Sequence, residues 1–326
     1  MEIEPDLRII SFITNLAKEA SLLEINTQPK IGNIGPGKAK DKTTYKDFIV
    51  SVDAISSEIY NFLKRLAEKF GNYENLNEIE FSKVEIGKFY LDASTAMMEC
   101  QKGGNTLLGH ILLFGPLVAA MYFFIKHRKS DLKELSNLTA SILDNTTDLD
   151  AIHLYKAIRL ANPGGLGSKR YLDVFSDSSF DEIRSKKISL KEIFKIGEKY
   201  DFLSYDLANN YPFTYKFSYI NLLRFMERYP MDKAILLLLI AILVEIPDTL
   251  IIRKHGLEKA RYVRTKAKEI FNTSPFSPSF YEKIKKLDEE LSNPKCYINP
   301  GTSADLTASG ILVTLFMKKF SSSFSS

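Results

Sequence analysis

Apolar residues recur at three- and four-residue steps along most of this chain, and this periodicity limits its fold more than any other feature. On the first predicted helix the stripe consists of Leu7, Ile10, Ile13, Leu16, Ala17, Ala20 and Leu23. The same spacing predicts helices over residues 48–66, 84–98, 106–126, 132–143, 149–160, 190–200, 219–228, 232–245, 257–271, 280–291 and 304–316. Strict two-residue alternation, which would indicate strands, is almost absent. The sequence therefore predicts an all-α fold.

The chain has 326 residues, of which 45% are hydrophobic, so it can bury a large core. Gly, Pro, Asn and Ser collect in breaks over residues 27–44, 161–179, 211–213 and 273–279, but none of these is long enough to require a second domain. No fixed-period repeat is visible. We therefore expect a single multi-helix domain over residues 1–320, followed by a serine-rich, frayed tail over residues 321–326.

Two apolar runs, over residues 111–125 and 234–244, raise the question of a membrane span. A spanning helix needs about 20 apolar residues, and both runs are shorter. Helices that are apolar on all sides are usually central ones, surrounded by other helices. We therefore predict two central core helices and no membrane association.

Charge and cysteine content limit the function classes further. The net charge of +4 comes from 44 basic and 40 acidic residues that are dispersed, which argues against a nucleic-acid partner but allows an anionic ligand. Cys100 and Cys296 have no partner at zinc-ligand spacing, which predicts buried thiols in a reducing compartment. The first residues lack the features of a signal peptide, so the expected location is cytoplasmic. A homo-oligomer remains open.

Polar, turn-rich islands interrupt the helix pattern at five places. In the first, Glu24 precedes a loop in which Lys30 stands between Pro29 and Gly32; such a loop can offer backbone N–H groups and one ammonium to a phosphate, or can simply connect two helices. In the second, Asn105 and Thr106 follow two glycines at a helix start, where they can bind an anion, cap the helix, or do both.

The third island, residues 162–167, contains Gly164 and Gly165 and suits a phosphate-binding loop or lid as well as an ordinary helix end. In the fourth, Asp248 can be a pure N-cap or, with Arg253 and Lys254, can hold Mg²⁺ and a polyphosphate. His255 there is interpreted as a residue at a helix C-terminus. The remaining histidines, His110, His127 and His153, share no ligand spacing.

The fifth island, residues 299–306, places Thr302 and Ser303 as helix caps and Asp305 in the first turn of the last helix. The five islands, in this order, resemble the motifs of the triphosphoribosyl-dephospho-CoA synthase family, most of all its archaeal members. The resemblance runs from about Glu24 to Leu315. It implies a transferase that moves the triphosphoribosyl group of ATP to 3′-dephospho-CoA, giving 2′-(5″-triphosphoribosyl)-3′-dephospho-CoA and adenine.

The resemblance also implies roles for individual residues. Glu24, Asp248 and Asp305 are the expected catalytic carboxylates and the expected ligands of Mg²⁺. Residues expected to bind substrate or phosphate are Lys30, Asn105, Thr106, Gly164, Gly165, Arg253, Lys254, Thr302 and Ser303.

The chain departs from the bacterial members at three positions. Ile31 replaces a second Pro, the segment around Lys40 lacks the His and Asp that many members carry, and Leu107-Leu108 replaces a His-Lys pair. Two alternatives therefore stay open: a transferase with another phosphorylated ribose or nucleoside donor and another acceptor, and a helical protein that binds a nucleotide or CoA-like ligand without turnover.

Overall fold

The computed structural model describes residues 4–167, 171–293 and 296–324, and confirms the predicted all-α fold. The α-helices are α1 (Glu4–Asn26), α2 (Tyr45–Phe70), α3 (Ile86–Glu99), α4 (Leu108–Lys126), α5 (Leu132–Asp144), α6 (Asp148–Ala161), α7 (Ser178–Lys186), α8 (Leu190–Gly197), α9 (Phe202–Ala208), α10 (Tyr219–Met226), α11 (Met231–Glu245), α12 (Thr249–His255), α13 (Leu257–Phe271), α14 (Pro278–Leu291) and α15 (Gly301–Phe324). Two short strands, β1 (Ala39–Lys40) and β2 (Thr43–Thr44), pair antiparallel.

Reciprocal capping side chains explain where four of the helices begin. Helices α2, α5, α6 and α8 start with the pairs Thr44–Asp47, Asp131–Glu134, Thr147–Asp150 and Ser189–Glu192. In each pair the first side chain accepts from a backbone N–H in the first turn, and the carboxylate accepts from the N–H of the capping residue. Two donors that the helix leaves unpaired are thereby satisfied.

Helix α4 lies in the centre of the main core, where nearly all of its residues are buried. Pro116 lies inside this helix and has no N–H to donate to the carbonyl of Leu112, one turn earlier. The hydroxyl of Tyr90 donates to that carbonyl at 2.9 Å instead. The proline is therefore tolerated because a buried side chain replaces the missing hydrogen bond.

Helix α11 is the second central helix that the sequence predicts, and it lies between two hydrophobic clusters. Ile235, Leu238 and Ile242 pack into the main core, whereas Leu239 and Leu243 pack into a second cluster with α13 and α14. Among the residues with described coordinates, only α4 is long and apolar enough by itself to cross a membrane, and 94% of its most apolar window is buried inside the protein. Helices α11 and α12 would pass the same test as a pair but are bent by 57°.

Three features differ from the sequence-based expectation. Helices α7 and α9 were not predicted, because with 9 and 7 residues they are too short for a clear helical period. The prediction of buried thiols was wrong: Cys100 and Cys296 are both exposed, the first because it caps the surface end of α3. Helix α15 continues to Phe324, within the segment expected to be a tail, and that ring packs 5.1 Å from the ring of Phe12.

Candidate active site

One cavity of about 1590 Å³ is lined by the loop after α1 and by the N-terminal ends of α4, α12 and α15. The predicted site residues that line it are Glu24, Lys30, Asn105, Thr106, Gly164, Gly165, Arg253, Lys254, Thr302 and Asp305. Asp248 and Ser303 do not line it and are buried behind its wall. The five islands, far apart along the chain, therefore meet at a single site.

Asp305 is the fifth residue of α15 and does not lie in its first turn, where the sequence predicted it, because the helix already begins at Gly301. It is the predicted carboxylate that is most open to this cavity. Its side chain is 20% exposed, against 6% for Glu24. A Cβ atom added to Gly109 would lie 1.9 Å from Asp305 Oδ2, so only glycine allows the carboxylate to approach α4 this closely. Burial, followed by the charges of Glu24, Asp248 and Asp201, raises the pKa of Asp305 well above its usual range. The geometry therefore suits a carboxyl group that carries a proton.

His110 is buried between the two carboxylates. Its Nε2 atom lies 3.6 Å from Asp305 Oδ1 and 3.9 Å from Glu24 Oε2, while Nδ1 lies 3.1 Å from the hydroxyl oxygen of Ser21. Burial, with a smaller effect from Lys30, lowers the pKa of His110 to about 3. The imidazole is therefore neutral, with one nitrogen that donates and one that accepts. It can hydrogen-bond either the ionised or the protonated form of a neighbouring carboxyl group.

Glu24 and Lys30 form a buried ion pair at the base of the cavity. Lys30 Nζ donates to Glu24 Oε1 at 2.6 Å and to the backbone carbonyl of Glu24 at 2.7 Å. Their side chains are only 6% and 1% exposed. An ammonium has three N–H donors, and these two bonds within the described residues use two of them.

Asp248 makes the contacts of a helix cap. Its Oδ1 accepts from the backbone N–H of Ile251 at 3.0 Å, and its Oδ2 accepts from the N–H and the hydroxyl of Ser303, both at 2.8 Å. The side chain thus caps α12 and fixes the start of α15. Of the two interpretations that the sequence allowed, this geometry favours the N-cap. The backbone N–H and the hydroxyl of Ser303 both donate to Asp248.

A chain of polar contacts joins α15, α12 and α9 along one side of the cavity. The hydroxyl oxygens of Thr302 and Thr249 lie 3.0 Å apart, and Thr249 lies 3.4 Å from Asp201 Oδ1. Asp201 Oδ1 also accepts from Arg253 Nη1 at 3.2 Å. The Nε atom of Arg253 is buried and has no hydrogen-bond partner in the part of the chain that the structure describes. Arg253 is therefore held in place and retains donors for a ligand.

The glycine-rich loop lies directly on the two cations of the fourth island. A Cβ atom on Gly164 would lie 3.0 Å from Lys254 Cε, and one on Gly165 would lie 3.0 Å from the carbonyl oxygen of Arg253. Gly165 also has a φ of +82°, which side-chain-bearing residues rarely adopt. Desolvation, together with the charges of Lys40 and Arg253, lowers the pKa of Lys254. Positive charge is therefore concentrated here, as a polyanion site requires.

The second island caps α4 at the opposite side of the cavity. Asn105 Oδ1 accepts from the N–H of Leu108 at 3.1 Å, and Thr106 donates to the hydroxyl of Ser51 at 2.8 Å. The amide NH₂ of Asn105 stays available because the cap uses only its oxygen. Capping and ligand binding are thus compatible at this residue.

The magnesium site predicted at Glu24, Asp248 and Asp305 stays a prediction. The described ranges contain no group of three or more His, Cys, Asp or Glu side chains placed to hold a metal ion. N–H and O–H donors already occupy both oxygens of Asp248, and Glu24 is paired with Lys30. Only Asp305, of the three, keeps its carboxylate open to the cavity.

Comparison with known proteins identifies the family of this chain. The family model for ATP:dephospho-CoA triphosphoribosyl transferase matches residues 10–324, nearly the whole chain. The chain belongs to this family. The resemblance carried by the five islands is therefore confirmed, and the protein is a member of a family of transferases.

A solved structure from Archaeoglobus fulgidus, described as a candidate triphosphoribosyl-dephospho-CoA synthase, has the same fold. It matches with a TM-score of 0.59 and 25% sequence identity, over 81% of this chain and 96% of that one. The comparison with curated sequences gave no match.

Sequence reasoning missed four residues that line this cavity: Gly109, His110, Asp201 and Lys40. Gly109 and His110 directly follow Leu107-Leu108, the pair that replaces His-Lys of the bacterial members. A glycine and a histidine at the start of a buried helix were therefore the available signal. Asp201 caps α9, a helix that the periodicity did not reveal. Lys40 was noted only as an occupant of a segment where relatives carry other residues.

Proposed function

We propose that this protein transfers the triphosphoribosyl group of ATP to the 2′-hydroxyl of 3′-dephospho-CoA and releases adenine. The observation that carries the proposal is the single cavity in which the cations and carboxylates of all five islands meet. A site for one drug-sized ligand usually measures about 300–1,000 Å³. A volume of about 1590 Å³ suits two nucleotide substrates side by side.

In this proposal the triphosphate of ATP binds at Arg253, Lys254 and Lys40. Arg253 is oriented by Asp201, and a guanidinium matches phosphate oxygens in a bidentate way. Lys254, whose pKa is lowered by burial and then by its positive neighbours, gains favourable interactions when a polyanion binds. The N-terminal end of α15 adds the positive end of a helix dipole to the same region.

Asp305 is the proposed proton carrier. Its protonated carboxyl group would give a proton to the adenine ring as the bond from C1′ to nitrogen breaks. The carboxylate formed would stabilise the positive charge at C1′ and then take the proton of the entering 2′-hydroxyl. One proton thus moves from the hydroxyl to adenine, and Asp305 ends in its starting state.

Magnesium enters the proposal only as the counter-ion of the ATP triphosphate. Mg²⁺ in nucleotide enzymes is usually bound by one or two carboxylates plus phosphate oxygens. Asp305 carries a proton in this proposal, so phosphate oxygens and water would hold the ion, and no chemical step is assigned to the metal. Calorimetry with ATP in excess Mg²⁺ and in chelator tests this point: equal affinities would contradict it.

The reaction is tested by incubating the protein with ATP and dephospho-CoA and following free adenine by chromatography. We expect adenine and a product heavier than dephospho-CoA by one triphosphoribosyl group, identified by mass spectrometry. Adenine release that needs a different acceptor would favour the alternative transferase. Nucleotide binding without any release would favour the non-catalytic alternative.

A further inference from the structure

One part of the cavity differs from the rest because apolar side chains form it. Helix α6, the segment after residue 170, helix α8 and the start of α9 contribute this part, which we name the apolar arm. Its walls include Tyr171, Ile193, Ile196, Tyr200 and Phe202. Helix α8 has 8 residues and is therefore roughly 12 Å long. Most of its residues line the arm.

The charged side chains of α8 are already occupied within the protein. Lys195 Nζ lies 3.1 Å from Glu198 Oε2, and the same carboxylate oxygen accepts from Asn209 at 2.9 Å. Glu192 accepts from the backbone N–H of Ser189 at 2.7 Å as a helix cap. A ligand segment that fits the arm therefore needs no net charge.

The arm opens to solvent at residues that a globular surface would usually cover. Tyr171 is 48% exposed, Ile196 39% and Tyr200 55%, and all three line the same cavity. Single exposed apolar residues are ordinary, whereas a group of them around one opening indicates a binding surface. Because the arm is continuous with the charged centre, its occupant belongs to a substrate of that centre.

We propose that the apolar arm binds the pantetheine chain of the acceptor, an inference that rests on the proposed function. In dephospho-CoA the reacting ribose, the diphosphate and the uncharged pantetheine chain follow one another. The lining of the cavity offers one group for each of these parts: Asp305 at the charged centre, Lys199 in the turn between α8 and α9, and Ile196 in the arm. The contacts from Thr302 through Thr249 to Asp201 connect this turn to α15.

Two acceptor analogues separate the arm from the rest of the site. ADP carries the same ribose and diphosphate as dephospho-CoA but has no pantetheine chain. By calorimetry we expect dephospho-CoA to bind the wild-type protein at least about tenfold more tightly than ADP, because the chain buries apolar surface. In Ile196→Glu, which places a charge in the arm, that preference should fall to about one while the affinity for ADP stays unchanged.

Ile220→Glu is the matched control. Ile220 lies on α10, is 38% exposed and does not line the cavity, so its substitution should leave both affinities as in the wild type. Equal binding of ADP and dephospho-CoA by the wild type, or an equal loss of both in Ile196→Glu, would overturn the inference. Adenine release, measured in parallel, is independent of this outcome. Binding that depends on the pantetheine chain, without adenine release, would refute the proposed reaction and support the role of the arm. Adenine release without such binding would support the reaction and refute the role of the arm.

Discussion

Asp248 and Asp305 are carboxylates of two neighbouring helix starts, and burial raises the pKa of both, yet they lie on opposite sides of the cavity wall. Asp248 accepts three hydrogen bonds from protein donors, which work against the effect of burial. Asp305 faces the neutral His110 and two further carboxylates instead. A carboxylate whose oxygens are hydrogen-bonded to protein donors stabilises the fold. A carboxylate that has like-charged neighbours and is exposed to a cavity can exchange a proton.

The largest expected effect separates the two residues by turnover. Asp305→Asn should reduce adenine release by about 10²-fold or more, because an amide can neither give nor take the proton. Folding should be retained, since an amide resembles the neutral carboxyl group that the site favours. The measurement is the single-turnover rate, with circular dichroism as the check on folding. A rate near that of the wild type would remove Asp305 from the reaction and leave Glu24 as the carboxylate to test.

The second prediction concerns Gly109, which fixes the position of the Asp305 carboxylate. Gly109→Ala should lower turnover by about tenfold, because the new methyl group forces that carboxylate to move and displacements of an ångström are costly in catalysis. The melting temperature should also fall.

A double-mutant cycle provides the control for Gly109. In an Asp305→Ala background the clash is gone, so Gly109→Ala should raise the melting temperature, since alanine favours a helix over glycine by about 1 kcal/mol. A destabilisation that is the same in both backgrounds would mean that Gly109 is needed for another reason than Asp305.

The sequence predicted the central helices well, because few structures other than a buried helix can remove an apolar run such as that of α4 from water. It predicted the start of α4 within two residues and its last residue, Lys126, correctly. It could not separate Asp248 from Asp305, since both follow a capping pattern and only the three-dimensional donors distinguish them. It also missed His110, whose partners Ser21 and Glu24 are distant in the chain.

The third prediction tests Asp248 through stability. Asp248→Asn can keep one of its two acceptor positions, but its NH₂ group must then face an N–H donor of Ile251 or Ser303. An unsatisfied buried group costs about 1–3 kcal/mol, and in a protein of 326 residues each kcal/mol lowers the melting temperature by about 1–2 °C. Turnover of the folded variant should stay within about threefold of the wild-type value, because both oxygens of Asp248 are hydrogen-bonded within the protein and take no part in proton transfer. An unchanged melting temperature with a large loss of turnover would return Asp248 to the list of catalytic residues.

The smallest expected effect is the pH dependence of stability that Asp305 introduces. Below the pKa of an unfolded aspartate, about 3.9, the carboxyl group is protonated in both states, and its favourable contribution is fully present. Between that value and the raised pKa of the folded state, the unfolded chain releases the proton while the folded protein keeps it, so stability is lost as pH rises. The amide of Asp305→Asn does not titrate, and the variant should therefore gain in melting temperature over the wild type as pH increases, by about 1–2 °C for each kcal/mol lost. Thermal unfolding of both proteins from low to high pH measures the difference, and a difference that stays constant with pH would show that Asp305 is ionised in the folded protein.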